Sequence, residues 1–128
     1  MKNTQTRFFK LLPYLIDSKV NAENDSIFQL AEQWFDEGRK LALATVLETW
    51  GSSPRPAGSR LLVDSNGNFQ GSVSGGCVET AVITEAMAVM EDCKMRVLEY
   101  GVSNEMAWEV GLACGGRIKI LVEPVMAG

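Results

Sequence analysis

The spacing of apolar residues along the chain predicts two main helices. Either Asp25 or Ser26 would cap the first helix, which would run through about Glu37 and end before a glycine. One face of that helix carries its apolar residues, which are Ile27, Leu30, Ala31, Trp34 and Phe35. The second helix is predicted from about Cys77 to Glu91, where a single narrow polar stripe interrupts an apolar surface. Such a helix would be largely buried.

Apolar and β-branched runs predict about five strands. These runs are KLALATVLE (40–48), RLLVD (60–64), FQGSV (69–73), residues 94–100 and RIKILV (117–122). Asn66 and Gly67 separate the second run from the third, and this pair accepts the positive φ of a hairpin turn. The predicted fold class is α/β: a single domain with a mixed sheet of about five strands and two main helices packed on it.

The first 25 residues are predicted to form an N-terminal helical appendage and a linker, ahead of a domain over residues 26–125. Phe8, Leu11, Leu12 and Leu15 have helical spacing, although Pro13 interrupts them. The polar stretch 21–25 is interpreted as the linker. An apolar stripe on a tether is the form of helix-in-groove motifs, so residues 1–24 are predicted to bind a partner. The alternative is packing on the exposed face of the sheet.

Composition excludes several classes of function. A net charge of −4 and a pI of about 4.8 argue against a general nucleic-acid binder. The absence of histidine removes Ser–His and Cys–His pairs and most catalytic zinc sites. Three widely spaced cysteines make a poor disulfide framework, and we expect reduced thiols. With neither a signal peptide nor a membrane span recognised, the predicted location is cytoplasmic.

The first candidate site is the stretch Ser74-Gly75-Gly76-Cys77, where a strand is predicted to give way to a helix. Glycines let an anion approach free N–H groups at a helix start, and the same field favours a thiolate at Cys77. The alternative is a tight turn with Cys77 packed as a small apolar residue. Glu79 would satisfy the helix dipole, carry a proton or contact a cofactor amine.

Two further loops are candidates. Cys114 lies beside Gly115 and Gly116 in a glycine-rich segment, which predicts an unusual backbone with exposed N–H groups. Residues 48–60 form a stiff polar loop in which two prolines flank Arg55, and this would place the Arg55 guanidinium for a phosphate or a carboxylate. The alternatives are an incidental cysteine and a rigid turn with solvated arginines. The two Cys/Gly–Gly turns are predicted to converge on one cleft.

Three motifs together resemble a known family. In order, ATVLETWGSSPRPAGSRLLVD, GSVSGGCVE and EMAWEVGLACGG are similar to the N-terminal domain of the XdhC/CoxI maturation factors. The resemblance covers residues 26–124. It implies an accessory factor that binds molybdenum cofactor and assists its sulfuration or insertion into a molybdenum hydroxylase such as xanthine dehydrogenase. A second, Rossmann-type domain occurs in many members and is not expected in this chain, which stops at Gly128.

The resemblance also implies roles for individual residues. Cys77 and Cys114 would ligate molybdenum or relay sulfur, with Glu79 beside them. The cofactor contacts would be Ser52, Ser53, Arg55, Ser74, Gly75, Gly76, Gly115 and Gly116. Arg55 or Arg60 would contact the phosphate of the cofactor. The implied partners are the hydroxylase apoenzyme, a cysteine desulfurase and a separate Rossmann-type protein, and a homo-oligomer is left open. A cofactor-binding chaperone is favoured over an enzyme with turnover.

Two other functions are compatible with the same residues. The domain could be a regulatory or interaction module that docks on a dehydrogenase or on a Rossmann-type partner without binding cofactor. It could also be a thiol enzyme that uses a reversible Cys77–Cys114 link, which requires Cα atoms within about 7 Å.

Overall fold

A computed structural model describes residues 18–51, 55–76, 78–101 and 116–126 of the chain. Within these ranges, α1 and α2 are the helices and β1 to β5 are the strands. In chain order the elements are α1 (Ser18–Asp36), β1 (Leu41–Trp50), β2 (Arg60–Asp64), β3 (Phe69–Gly71), α2 (Glu79–Asp92), β4 (Arg96–Tyr100) and β5 (Arg117–Val125).

The strands form one sheet in the order β3–β2–β1–β5–β4. All four neighbouring pairs are antiparallel. The predicted α/β class, with five strands and two packed helices, is confirmed, but the sheet is antiparallel rather than mixed. An apolar run shows that a strand is buried, and it does not show the direction of the neighbouring strand.

Around the first part of β1 the sheet is covered on both faces, and this explains the apolar run at the start of that strand. Residues 41–46 are all buried. Ala42, Ala44 and Val46 face α2 and share a core with the buried residues of β5. The alternate residues Leu41 and Leu43 belong to a second core beneath α1. Because side chains of a strand alternate between faces, a strand between two helices has no polar face.

The predicted hairpin between β2 and β3 is confirmed, and Asp64 closes its turn. The Asp64 carboxylate accepts bonds from the backbone N–H groups of Asn66 and Asn68, both at 2.9 Å. Gly67 has a φ of 87°, as the Asn-Gly pair predicted. At Gly71 (φ 98°), a Cβ would lie 2.3 Å from the carbonyl oxygen of Arg60. Only glycine therefore lets β3 end this close to β2.

The helix α1 begins earlier than predicted. Residues 21–25 are helical, so their interpretation as a linker with a cap at Asp25 or Ser26 is wrong. Val20, Asn24 and Ile27 are buried at helical spacing, and the Asn24 side-chain amide donates to the Gly58 carbonyl at 2.8 Å. A buried side-chain amide is tolerated when it is hydrogen-bonded. The polar residue types of this stretch did not by themselves indicate that Asn24 is buried.

The boundary predicted between residues 25 and 26 falls within α1. The stripe of Phe8, Leu11, Leu12 and Leu15 lies outside the described residues, and partner binding by residues 1–24 stays a prediction. No helix in the described ranges is both long enough and apolar enough to cross a membrane.

Candidate functional site

The three motif segments leave the sheet at the same end. The register pairs Thr45 with Arg60 and Leu61 with Gly71, so β2 begins where β3 ends. At that same end of the sheet, Trp50, the last residue of β1, pairs with Arg117, the first residue of β5. Gly51, Ser72 and Gly116 adjoin these strand ends, and so do the segments that contain the candidate residues.

Two of the segments come into direct proximity. A Cβ placed on Gly51 would lie 3.6 Å from the Cα atom of Gly116. Gly116 is buried, and Gly51 has a φ of 71°. Gly51, which follows β1, and Gly116, which precedes β5, therefore meet backbone to backbone. Residues 51–59, which we call the proline–arginine loop, thus begin beside the residue that leads into β5.

Glu79 is the centre of a hydrogen-bonded turn between β3 and α2. Its Oε2 accepts the N–H groups of Val73 (3.0 Å) and Ser74 (2.9 Å) and the Ser72 hydroxyl (2.7 Å). Its Oε1 accepts the Gly76 N–H (2.8 Å) and the Ser74 hydroxyl (2.5 Å). Five donors therefore converge on one carboxylate at the first position of α2. We call residues 72–79, held in this way, the Glu79 turn.

Two further amides of the Glu79 turn also have acceptors within the chain. The Gly75 N–H donates to the Ser72 hydroxyl and the Val78 N–H to the Ser74 hydroxyl, each at 2.8 Å. Gly75 and Gly76 have φ angles of 68° and 107°, which fold the backbone back on Glu79. The sequence analysis assigned these glycine N–H groups to a cofactor, whereas in the structure they are engaged by the chain itself.

The hydrogen bonds of Glu79 determine its protonation. Burial alone would raise the pKa of this carboxyl group. The bonds from the hydroxyl groups of Ser74 and Ser72 and from the backbone outweigh burial, and the pKa is lowered to about 2. The carboxylate is therefore ionised near neutral pH and saturated with donors. These bonds hold the carboxylate to the turn before α2, and an ionised carboxylate with its oxygens filled in this way is poorly suited to proton transfer.

The two arginines considered for phosphate binding contact α1. The Arg55 guanidinium pairs with the Glu23 carboxylate at 2.5 Å. Arg60 is only 3% exposed, and its guanidinium lies 5.0 Å from the ring centroid of Phe28. Burial lowers the pKa of Arg60 to about 10, and the charge of Glu123 partly offsets this effect. Arg55 is half-buried at the end of the sheet from which the motif segments leave, which we call the motif end, whereas Arg60 is part of the packing beneath α1.

Several predicted site residues lie outside the described residues. They are Ser52, Ser53, Cys77, Cys114 and Gly115. Their roles, and the cleft on which the two cysteines would converge, stay predictions. In the part of the chain that the structure describes, no group of three or more acidic or cysteine side chains could hold a metal ion. Cys93, which carries no predicted role, is exposed at the end of α2.

The chain matches the model of a known protein family. The family model described as the XdhC and CoxI family matches residues 34–101. The chain belongs to the XdhC and CoxI family. The match runs from the end of α1 through β4, and it includes both the proline–arginine loop and the Glu79 turn. Cys114, Gly115 and Gly116 follow the matched range.

Named relatives of this XdhC and CoxI family chain include two bacterial proteins. The molybdenum cofactor insertion chaperone PaoD of Escherichia coli (strain K12) is 33% identical over 98 residues, which are 77% of this chain and 30% of PaoD. A probable xanthine dehydrogenase subunit of Bacillus subtilis (strain 168) is 29% identical over 92 residues, which are 70% of this chain and 28% of that protein.

A solved structure is also similar. The crystal structure of a xanthine dehydrogenase from Bacillus halodurans superimposes with a TM-score of 0.65 at 32% identity, covering 77% of this chain and 30% of that chain. The chain thus spans under a third of the length of these relatives.

Sequence reasoning missed two features of this XdhC and CoxI family site. It treated Glu23 and Asn24 as linker residues, whereas they hold the loop that carries Arg55 and Gly58. It also treated the glycine amides as free, although Ser72 and Ser74 lie seven and five residues before an acidic residue at a helix start. Hydroxyl residues at this spacing were the available signal for a carboxylate that caps its own turn.

Proposed function

We propose that this chain acts in the maturation of a molybdenum hydroxylase, binding molybdenum cofactor and assisting its sulfuration or insertion. Membership of the XdhC and CoxI family and the name of the relative PaoD support the proposal. The observation that carries it is the placement of the motif segments at one end of the sheet. One cargo could contact all of them there.

The proposed roles of the cysteines follow from their chemistry. Thiolates are soft ligands that suit a molybdenum–sulfur centre, so Cys77 and Cys114 would contact the metal or relay sulfur. A carrier needs no general base, and the absence of histidine is consistent with this role. The proposed partners are the hydroxylase apoenzyme, a cysteine desulfurase and a Rossmann-type protein. We place the protein in the cytoplasm as a chaperone without turnover, and the proposal also allows self-association.

A second candidate is an interaction module that binds no cofactor. The observation that favours it is that the donors expected to hold an anion are engaged inside the domain, by Glu79 and by Glu23. Protein purified from a host that makes the cofactor separates the two candidates. The maturation role requires co-purified molybdenum and pterin, whereas the interaction module would contain neither and would still bind its partner.

Substitution of the cysteines tests the proposed function. We expect Cys77→Ala and Cys114→Ala to abolish activation of a co-expressed molybdenum hydroxylase and to reduce bound molybdenum. The matched control is Cys93→Ala, because Cys93 is an exposed thiol at the other end of α2. Melting temperatures of all three variants should stay close to wild type. Full activation by the Cys77→Ala, Cys114→Ala double variant would contradict the role assigned to these thiols.

A further inference from the structure

We infer that the carboxylate of Glu79 takes the place of a bound anion in the Glu79 turn. The inference rests on the proposed function only in that molybdenum cofactor is the anionic cargo considered. It changes the interpretation of the Gly75-Gly76 pair, because the N–H groups there are held for the fold and not offered to the cargo.

The turn supplies enough donors to hold an anion. Successive backbone N–H groups that point to one centre form an anion-binding concavity. In this turn the N–H groups of Val73, Ser74 and Gly76 point to the carboxylate oxygens of Glu79, and two serine hydroxyls join them. A carboxylate offers roughly four lone-pair sites, so five donors fill it. The concavity is complete without a ligand.

The charge of Glu79 opposes the entry of an anionic cargo. Molybdenum cofactor carries a phosphate on its molybdopterin part. That phosphate would have to enter a turn that already holds an ionised carboxylate. Like charges in one site repel, and displacing Glu79 would break five hydrogen bonds. The Glu79 turn therefore does not fit the phosphate. An anionic part of the cargo would bind at the motif end outside the amides of residues 73–76.

The carboxylate holds the backbone on both sides of residue 77. On one side, the Gly76 N–H is bonded directly to Glu79. On the other side, the Val78 N–H is bonded to the Ser74 hydroxyl, which itself donates to Glu79. Val73 and Val78 are both buried in the core beneath α2. The backbone N–H groups of Gly76 and Val78 are thus both held through one carboxylate.

Two variants of the full chain test the inference. Glu79→Gln removes the charge and two of the lone-pair sites, and Glu91→Gln is the matched control because Glu91 is exposed on the same helix. In Glu79→Gln we expect amide hydrogen exchange of Val73, Ser74 and Gly76 to accelerate about tenfold or more, with exchange of Ile120 in β5 unchanged. The control should match the wild type at all four amides.

Inorganic phosphate at millimolar concentration should leave the wild-type amide resonances of residues 73–76 in place.

Three results would overturn the inference. They are unchanged amide exchange in Glu79→Gln, equal acceleration at Ile120, which would indicate general destabilisation, and phosphate-induced shifts of the wild-type amides. These outcomes are independent of the hydroxylase assay. If the cysteine variants activate the hydroxylase normally while Glu79→Gln loosens the turn, the proposed function fails and the inference stands. The reverse pattern would reject the inference alone.

Discussion

Single buried polar residues of this domain are held by hydrogen bonds that reach across the sequence. The Asp64 side chain is 1% exposed and binds both its own turn and the Arg39 guanidinium, 25 residues away, at 3.0 Å. Burial alone would raise the pKa of Asp64, but the bonds from Asn68, Asn66 and Arg39 outweigh it and lower the pKa. Glu79 follows the same physical rule at the other end of the sheet. The hydrogen bonds made by Asp64 and by Glu79 in the folded state therefore both require an ionised carboxylate.

Acid should weaken the domain partly through Glu79. A carboxyl whose pKa is lowered by folding stabilises the folded state above its unfolded pKa, and this contribution is lost as pH falls through the folded value. For Glu79 the window runs from 4.5 down to about 2. We expect the free energy of unfolding of Glu79→Gln to fall less than that of wild type between about pH 5 and about pH 3.

Urea denaturation at the two pH values measures this difference. Glu91→Gln should follow the wild type, because Glu91 is exposed and far from the turn. Asp64 keeps its own contribution in every variant, so some acid sensitivity should persist in Glu79→Gln. Equal losses in wild type and Glu79→Gln would show that the carboxylate is not held by these bonds in solution.

Among the elements, α1 joins the domain through a polar contact in its second turn. Asn24 is 2% exposed and donates to the Gly58 carbonyl in the loop before β2. Asn24→Ala would leave that carbonyl without its partner and should lower the free energy of unfolding by about 1–2 kcal/mol. Gln29→Ala, at an exposed position of the same helix, should change it by less than about 0.5 kcal/mol.

The Asn24 measurement is again urea denaturation at neutral pH. A loss in Asn24→Ala no larger than that of Gln29→Ala would mean that the first turns of α1 detach in solution. In that case residues 21–25 would behave as the linker that the sequence suggested.

The elements that sequence reasoning found are those with a local signal. β1 and β5 are long β-branched runs, and the Asn66-Gly67 turn requires positive φ at its glycine. The start of α1 was missed because Asn24 looks exposed by composition and is buried by a contact 34 residues away. Pairing direction was missed because residue periodicity carries no information on which strand lies alongside.

The same limit applied at the candidate site. The positions of Ser74, Gly75, Gly76 and Glu79 at a strand-to-helix junction were predicted correctly, because glycine pairs and a following apolar run are local. The direction of their hydrogen bonds was not, since it depends on the backbone folding back on Glu79 at two positive φ angles. A sequence shows which donors exist, and the fold decides which acceptors they reach.

At the scale of the whole molecule, the two ends of the sheet carry different structural features. The motif segments lie at the end where β2 begins. The opposite end carries the Asp64 turn and a cavity of about 450 Å³ lined by α2 and by the residues around Lys40 and Ser65. This cavity is lined by none of the candidate site residues. We therefore expect substitutions in this cavity to change the free energy of unfolding before they change binding of the proposed cofactor.

The position of β5 has a consequence for how the domain is assembled. It is the last described strand in the chain, yet it lies between β1 and β4. A chain truncated after Gly101 would lack Ile118, Ile120 and Val122 from the core beneath α2. We expect this fragment to show no cooperative unfolding transition in urea by circular dichroism. A cooperative transition would mean that α1, β1, β2 and β3 fold without it.

During translation, a nascent chain would therefore pass through a stage in which the hairpin and both helices exist but the sheet is open at β1. One edge of β1 and one edge of β4 would stay unpaired until residues 117–125 are made. Exposed strand edges are where chains aggregate or recruit holding chaperones. A factor proposed to assist the maturation of another protein would thus itself need protection late in its own synthesis.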